Sequence, residues 1–263
     1  MSRLICWWSA GAASACATAV ALTTITASNK FVGYCAGVES AEHPDNARFL
    51  RDCERWYGQE VLRLYSDKYK DPWDVWERTR WLVGVAGARC TTELKKLVRR
   101  AFQRDGDMQV FGFTAGEEDR AQRFVENNIG IDARFPLIER GLTHADCEAM
   151  LVAEGITLPA MYRLGYKNNN CIGCVKGGAG YWNKIRADFP EVFSRMAELE
   201  RRLDVSILKR TVAGMRVRLF LDELPPGLGR YEAEPSIECG SGCEAARAAL
   251  PERGPMSEPK EEA

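Results

Sequence analysis

Leu4-Ile5-Cys6-Trp7-Trp8-Ser9-Ala10-Gly11-Ala12-Ala13-Ser14, continued by the Ala-rich stretch to Leu22, holds the reading on which the fold turns. Five consecutive apolar residues without alternation fit a strand buried on both faces. The small residues Ser9–Ala13 allow a tight turn, and Ser14–Leu22 has the composition of a buried helix. Strand, tight turn and helix make the first half of a βαβ unit. Downstream, Lys30–Cys35 is a second strand, followed by a helix from Pro44 to about Trp56 with Phe49, Leu50, Cys53 and Trp56 at helical spacing. Glu60–Tyr65 reads as a third strand. Asp71-Pro72 is an N-cap and first-turn pair opening a helix through Trp73, Trp76 and Trp81. Thr91–Arg104 is amphipathic, Gln109–Phe113 a fourth strand, Phe135–Ile138 a short fifth, and Thr143-His144-Ala145-Asp146 opens a helix ending near Gly155. The expectation is an α/β chain with a Rossmann-like parallel five-stranded sheet flanked by helices. In such sheets ligands sit at the carboxyl ends of the strands, so the loops after strands one, two and four are the first places to look.

The pattern changes past Gly155. Ile156–Lys176 reads as loop, Trp182–Leu203 as helix bent at Pro190, and Pro and Gly dominate from Asp222. The expected organisation is a nucleotide-binding α/β domain over 1–155, a Cys-containing loop, helix and C-terminal region over 156–250 that completes the site, and a disordered tail over 251–263.

The 263 residues are 46% apolar and carry 36 basic against 37 acidic side chains, a net charge of −1, so no overall charge drives the chain onto a polyanion or an anionic membrane. There are ten cysteines and two histidines, His43 and His144, which excludes a multi-histidine zinc site. The uncharged stretch from Leu4 to Ala27 invites a signal-peptide reading, under which the cysteines would form disulfides. Its strongly apolar part is only five residues long before Ser9 breaks it, too short to span a membrane. A cytoplasmic chain with reduced thiols and no membrane partner is therefore expected.

Small residues in the Ser9–Ser14 turn let backbone amides approach a phosphate at a helix N-terminus, although a tight turn alone also needs them. Cys171-Ile172-Gly173-Cys174 and Cys239-Gly240-Ser241-Gly242-Cys243 are closely spaced pairs in Gly-rich loops, and Cys90 lies in a third loop. Such thiols suit zinc or an iron–sulfur cluster, or a redox pair. Cys6, Cys16, Cys35, Cys53 and Cys147 fall in expected strands and helices and read as core filling. Lys95, Lys96, Arg99, Arg100 and Arg104 give one helix a basic face, for phosphates or simply for water. Arg120 and Arg123, after Gly112…Glu117-Glu118, would clamp an anion or pair with those carboxylates.

Together these segments resemble the phosphoadenosine-phosphosulfate (PAPS) reductase family of the adenine-nucleotide alpha-hydrolase-like (ATP-pyrophosphatase) superfamily, over about Leu4 to Cys243. Ser9-Ala10-Gly11-Ala12-Ala13-Ser14 is similar to the family's S-G-G-K-D-S pyrophosphate loop. Cys90…Lys95-Lys96 resembles its Cys-Cys…Lys segment, and Gly112…Glu118-Asp119-Arg120 its G-x-R-x-x-E…R segment. Pro136-Leu137-Ile138 and Leu164-Gly165-Tyr166…Cys171-Ile172-Gly173-Cys174 follow in the family's order. Glu238-Cys239-Gly240 matches the start of the family's C-terminal Glu-Cys-Gly-Leu-His.

The resemblance implies an adenine nucleotide, ATP or PAPS, bound by Ser9, Ala10, Gly11, Ala12, Ala13, Ser14, Lys95, Gly112, Glu118, Arg120 and Arg123. It also implies a [4Fe–4S] cluster, or alternatively zinc, on Cys90, Cys171, Cys174 and Cys243, with Cys239 as the nucleophile. Three departures stand out. Ala12 and Ala13 replace the loop's Lys and Asp, Arg89 replaces the first cysteine of the Cys-Cys pair, and Ser241-Gly242-Cys243 replaces Leu-His. The implied function is an oxidoreductase of sulfur metabolism that reduces or transfers sulfur from an adenylyl-activated substrate with the help of a thiol reductant. The alternatives are ATP-dependent sulfur insertion into a nucleic acid, as in tRNA thiolation or DNA phosphorothioation, and a degenerate nucleotide-binding accessory subunit. A homodimer or a larger complex is compatible with each.

Overall fold

The computed structural model describes residues 2–84 and 87–237. In chain order the first half contains β1 (Arg3–Trp8), α1 (Ala12–Thr24), β2 (Asn29–Cys35), α2 (Asn46–Tyr57), β3 (Val61–Leu64), α3 (Pro72–Thr79), β4 (Val83–Gly84) and β5 (Gly87–Ala88). It continues with α4 (Arg89–Thr91), a π-helical turn (Thr92–Lys96), α5 (Leu97–Phe102), β6 (Met108–Val110), α6 (Glu118–Glu126), β7 (Asp132–Arg134), α7 (Pro136–Glu139) and α8 (His144–Ala153). The remainder holds α9 (Ala160–Arg163), α10 (Ala179–Asp188), α11 (Pro190–Leu203), β8 (Leu208–Val212) and β9 (Met215–Leu219).

Five strands form one all-parallel sheet in the order β3-β2-β1-β6-β7. β1 is central, and its alternation splits the apolar interior in two. Leu4, Cys6 and Trp8 face a large core with α1, α2 and α8, while Ile5 and Trp7 face a smaller one with Val98 of α5 and Ala121 and Phe124 of α6. That is why the run shows no alternation in sequence: both faces are covered. The chain builds leftward from β1 to β3, then crosses back to β6, so the strand order reverses between β1 and β6. A crevice opens there at the carboxyl edge.

α8 starts at a capping box, Thr143 with Asp146, and α3 starts with the Asp71 carboxylate accepting the Asp74 N–H at 2.8 Å. The expected fifth strand is displaced. Phe135–Ile138 is not a strand: Pro136, which has no N–H to donate, opens α7, and β7 is the preceding polar segment Asp132–Arg134. An edge strand carrying charge escapes a search for apolar runs. The expected helix over Thr91–Arg104 is interrupted by the π-turn and ends at Phe102, and that over Trp182–Leu203 is two helices divided at Phe189, with Pro190 in the first turn of α11. The antiparallel hairpin β8–β9 was not anticipated. Cys6, Cys16, Cys35, Cys53 and Cys147 are all buried. The large core also takes in Trp182, Met196, Leu199 and Leu221, so residues on both sides of Gly155 share it. Among the described residues no helix is long and apolar enough to cross a membrane.

Candidate functional site

A cavity of about 460 Å³ occupies the reversal point, walled by the loops that follow β1, β2 and β6. The loop after β1 is held in a fixed shape by its own hydroxyls. Ser9 donates its N–H and its hydroxyl to Ser14 Oγ, both at 3.0 Å, and Ser14 Oγ donates to the Gly11 carbonyl at 3.0 Å. Ala10 sits at φ 59°, the left-handed region that costs a side-chain-bearing residue roughly 1–2 kcal/mol. The Asn169 amide fixes it there by donating to the Ala10 carbonyl at 2.6 Å. Gly112, from the loop after β6, lies directly against this turn: a Cβ there would stand 2.6 Å from both Ser14 N and Ser14 Cα. Only a glycine lets the two loops close on each other.

Ser9, Gly11, Ala13 and Ser14 line the cavity, whereas Ala10 and Ala12 are fully buried behind it. The Ala12 N–H is taken by the Tyr162 hydroxyl at 3.2 Å. The cavity is also lined by Arg120 and Lys167, and by Lys95, Lys96 and Arg99 from the π-turn and α5. The π-turn inserts an extra residue into the helical register and brings these three cations to the cavity, a use common to π-bulges at functional sites. Of the basic face left open between phosphate and water, Lys95, Lys96 and Arg99 therefore line the cavity, while Arg100 and Arg104 are exposed.

An aromatic end completes that wall. Arg99 lies 5.3 Å from the Phe111 ring centroid and Arg120 4.3 Å from that of Phe113. Arg120 also pairs with Glu117, whose carboxylate accepts from the Thr114 N–H at 2.8 Å and the Thr114 hydroxyl at 2.9 Å. Burial pushes Glu117 up, but these donors and Arg120 outweigh it and hold the carboxyl below its ordinary value. Glu117 is thus the carboxylate that the loop after β6 contributes to the cavity, in addition to Glu42 from the loop after β2. Glu118 is exposed, accepts from Gly116 N–H and does not line the cavity, and Arg123 is exposed on α6 away from it.

Between the loops lies a buried polar relay that the sequence did not announce. The Tyr34 hydroxyl and the Asn46 amide both donate to Glu42 Oε2, at 2.7 and 2.9 Å, and Asn169 donates to Asn46 Oδ1 at 2.7 Å. Burial raises the Glu42 carboxyl above its usual range against the opposing Lys95 charge and these two donors. The cue for Glu42 was its place just after strand two. Asn169 lay inside Asn168-Asn169-Asn170, read simply as loop.

Cys171 and Cys174 line the same cavity. Together with Cys90 they also line a small adjoining cavity of about 20 Å³, closed by Val38, Pro72 and Trp76, and Lys95 borders both cavities. Tyr181 ties the Cys-x-x-Cys loop, its hydroxyl accepting from Cys174 N–H at 2.9 Å and donating to the Cys171 carbonyl at 3.1 Å. Gly173 supplies the required positive φ, 75°, between the two thiols. The lining of the small cavity has sulfur but no carboxylate or imidazole, a donor set suited to thiolate-loving metals. Among the described residues, however, no group of three His, Cys, Asp or Glu side chains stands in a metal-holding arrangement. Cys239 and Cys243 lie outside the described residues. The last described residues, Ser236 and Ile237, line the main cavity, and the Ile237 carbonyl accepts from Asn170 at 2.9 Å.

The fold and cavity define a parallel α/β protein with a cationic carboxyl-edge site flanked by thiols. No protein-family model, curated protein or solved structure matches the chain.

Proposed function

We propose that this chain is a PAPS-reductase-like enzyme that binds an adenine nucleotide at the carboxyl edge of the sheet and carries out sulfur chemistry on its adenylyl-activated sulfate. The observation that carries the reading is the meeting of two unlike walls in one cavity: the Ser9–Ser14 turn with Lys95, Lys96, Arg99 and Arg120, and the Cys171/Cys174 loop. An anionic ligand of nucleotide size answers the first wall, and a sulfur centre answers the second. Loss of Lys and Asp from the turn at Ala12 and Ala13 removes two charges. The cations on the facing elements supply positive charge from outside the loop.

In this reading the phosphates lie against the turn and the cations. The Cys239 thiolate attacks the sulfonate sulfur, the bond from that sulfur to the phosphate oxygen breaks, and the nucleotide leaves. A dithiol reductant then attacks the S-sulfocysteine, releasing sulfite and ending as a disulfide. Ile237 in the cavity wall, two residues before Cys239, supports this assignment. Cys90, Cys171, Cys174 and Cys243 would hold a [4Fe–4S] cluster or zinc; a cluster would supply redox capacity beside the substrate, whereas zinc would only fix the loops. The superfamily assignment and the Cys-rich C-terminal extension belong to the same proposal.

Calorimetry on anaerobically purified full-length protein tests it. PAPS should bind at least about tenfold more tightly than ATP, and Arg99→Ala should weaken PAPS by at least about tenfold. Cys239→Ser should abolish sulfite release while leaving PAPS affinity intact. Binding of ATP alone would move the assignment to adenylation-dependent sulfur insertion, and binding of neither nucleotide to an accessory subunit.

A further inference from the structure

The chain from Val205 to Leu221 holds four cations and no carboxylate, in a protein whose net charge is only −1. It forms the hairpin β8–β9, joined by Ala213-Gly214 with φ of 47° and 79°, a two-residue turn whose backbone follows the natural strand twist. The base is anchored. Leu208 and Leu219 pair there and are buried, and the Glu200 carboxylate accepts from Ile207 N–H and Leu221 N–H, both at 2.6 Å. Beyond that base, every residue from Lys209 to Arg216 is exposed.

Cross-strand partners share a face, so Lys209 with Arg218 and Thr211 with Arg216 stand on one face of the ribbon. Arg218 bonds to Asp204, whereas Lys209, Arg210 and Arg216 make no ion pair among the described residues. Like charges set opposite each other weaken a hairpin, so the arrangement costs stability that an anion laid along the face would restore. At the tip, Val212 and Met215 are 47% and 67% exposed.

We propose that this hairpin is a docking element for double-stranded DNA, separate from the nucleotide cavity and independent of its chemistry. A two-stranded ribbon fits the major groove of B-form DNA, about 12 Å wide, whereas the deep, narrow major groove of A-form RNA excludes it. Same-face cations two residues apart are about 6.8 Å from one another, suited to reaching successive phosphates. Three of the four cations are arginines, the residue matched to phosphate oxygens. Two apolar side chains at the tip are too few to anchor the protein in a lipid bilayer and sufficient to touch sugars or thymine methyls.

Fluorescence anisotropy with the full chain and a labelled B-DNA duplex of about 20 base pairs, titrated over a range of salt, tests the assignment. Wild type should bind with a strong salt dependence. The triple variant Lys209→Ser, Arg210→Ser, Arg216→Ser should bind at least about tenfold more weakly at low salt, with the log–log salt slope reduced by about 2 to 3. Its melting temperature should equal or slightly exceed the wild-type value, as relief of the Lys209–Arg218 repulsion requires, and its nucleotide affinity should be unchanged. Absence of duplex binding at low salt would overturn the proposal, as would equal binding by the variant. Tighter binding to an RNA duplex of the same length, or to phosphatidylserine vesicles, would overturn it as well.

Discussion

The parallel sheet and the layer formed by residues 156–237 are held together by different means. β1 pairs with β2 along its whole length and with β6 on its other edge, and both of its faces are sealed by apolar side chains. The C-terminal layer depends on side chains that reach across the chain to backbone groups. Glu234 caps α10, its carboxylate accepting from Gly180 N–H at 2.6 Å and Tyr181 N–H at 3.1 Å. Arg186 donates to the carbonyls of Leu221 and Leu224, Asn183 to those of Pro225 and Leu228, and the Lys167 N–H bonds to the Tyr231 hydroxyl. A ladder distributes its stability over many equivalent bonds, whereas a clamp concentrates it in one side chain. The cavity lies where the two constructions meet: the sheet half supplies the turn with Lys95, Lys96, Arg99 and Arg120, and the clamped layer supplies Lys167, Cys171 and Cys174.

The sharpest break is at the junction of loops in the sheet half. Gly112→Ala places a methyl against the Ser14 backbone, which cannot yield without moving α1. Urea unfolding should show a loss of about 3 kcal/mol, accompanied by loss of ligand binding. In the other half, Glu234→Ala removes a charged cap, and about 2 to 3 kcal/mol should be lost. Here hydrogen exchange distinguishes the two constructions. The Gly180 and Tyr181 amides should lose protection while those of β1 and β2 keep theirs.

Glu200 gives the smallest effect and the one that depends on pH. Burial raises its carboxyl from an ordinary 4.5 to about 7, against the Ile207 and Leu221 amides that favour the charged form. The folded chain then holds a proton that the unfolded chain releases. The associated stability is fully present below about pH 4.5 and is lost as pH rises through about 7. Between about pH 5 and pH 7 the wild type should lose about 2 kcal/mol from this group, and Glu200→Gln should flatten that part of the profile. A Glu200→Gln profile as steep as wild type would assign the slope to another group.

The apolar runs at Leu4–Trp8 and Lys30–Cys35 and the cap signals at Asp71 and Thr143 were legible because each reports a local requirement: burial on two faces, or an unpaired N–H at a helix start. The same holds for Pro190, which announced an interruption although not a full break. β7 was not legible, since an exposed edge strand asks little of its side chains. Of the site, the Ser9–Ser14 turn, Lys95, Gly112, Arg120, Cys171 and Cys174 reach the main cavity from the positions the residue pattern singled out. Glu42, Asn169 and Tyr162 were missed, and Glu118 was chosen over its neighbour Glu117, because the direction of a side chain at the first turn of α6 is set by the neighbouring Thr114 and Arg120.

By itself the sequence determined the parallel α/β plan, the burial of Cys6, Cys16, Cys35, Cys53 and Cys147, and the loops in which a ligand site would form. These follow from periodicity and composition, which act over a few residues. Cys90, expected in a loop, lies in α4, and Cys174 is itself buried. Tertiary structure alone decided that a π-turn aims Lys95, Lys96 and Arg99 into the cavity, that Asn169 locks the strained Ala10, and that Cys90 shares a cavity with Cys171 and Cys174. The residues in each of the last two pairings stand about 80 to 160 positions apart, and no local pattern encodes a contact made only when the sheet and the clamped layer close on one another.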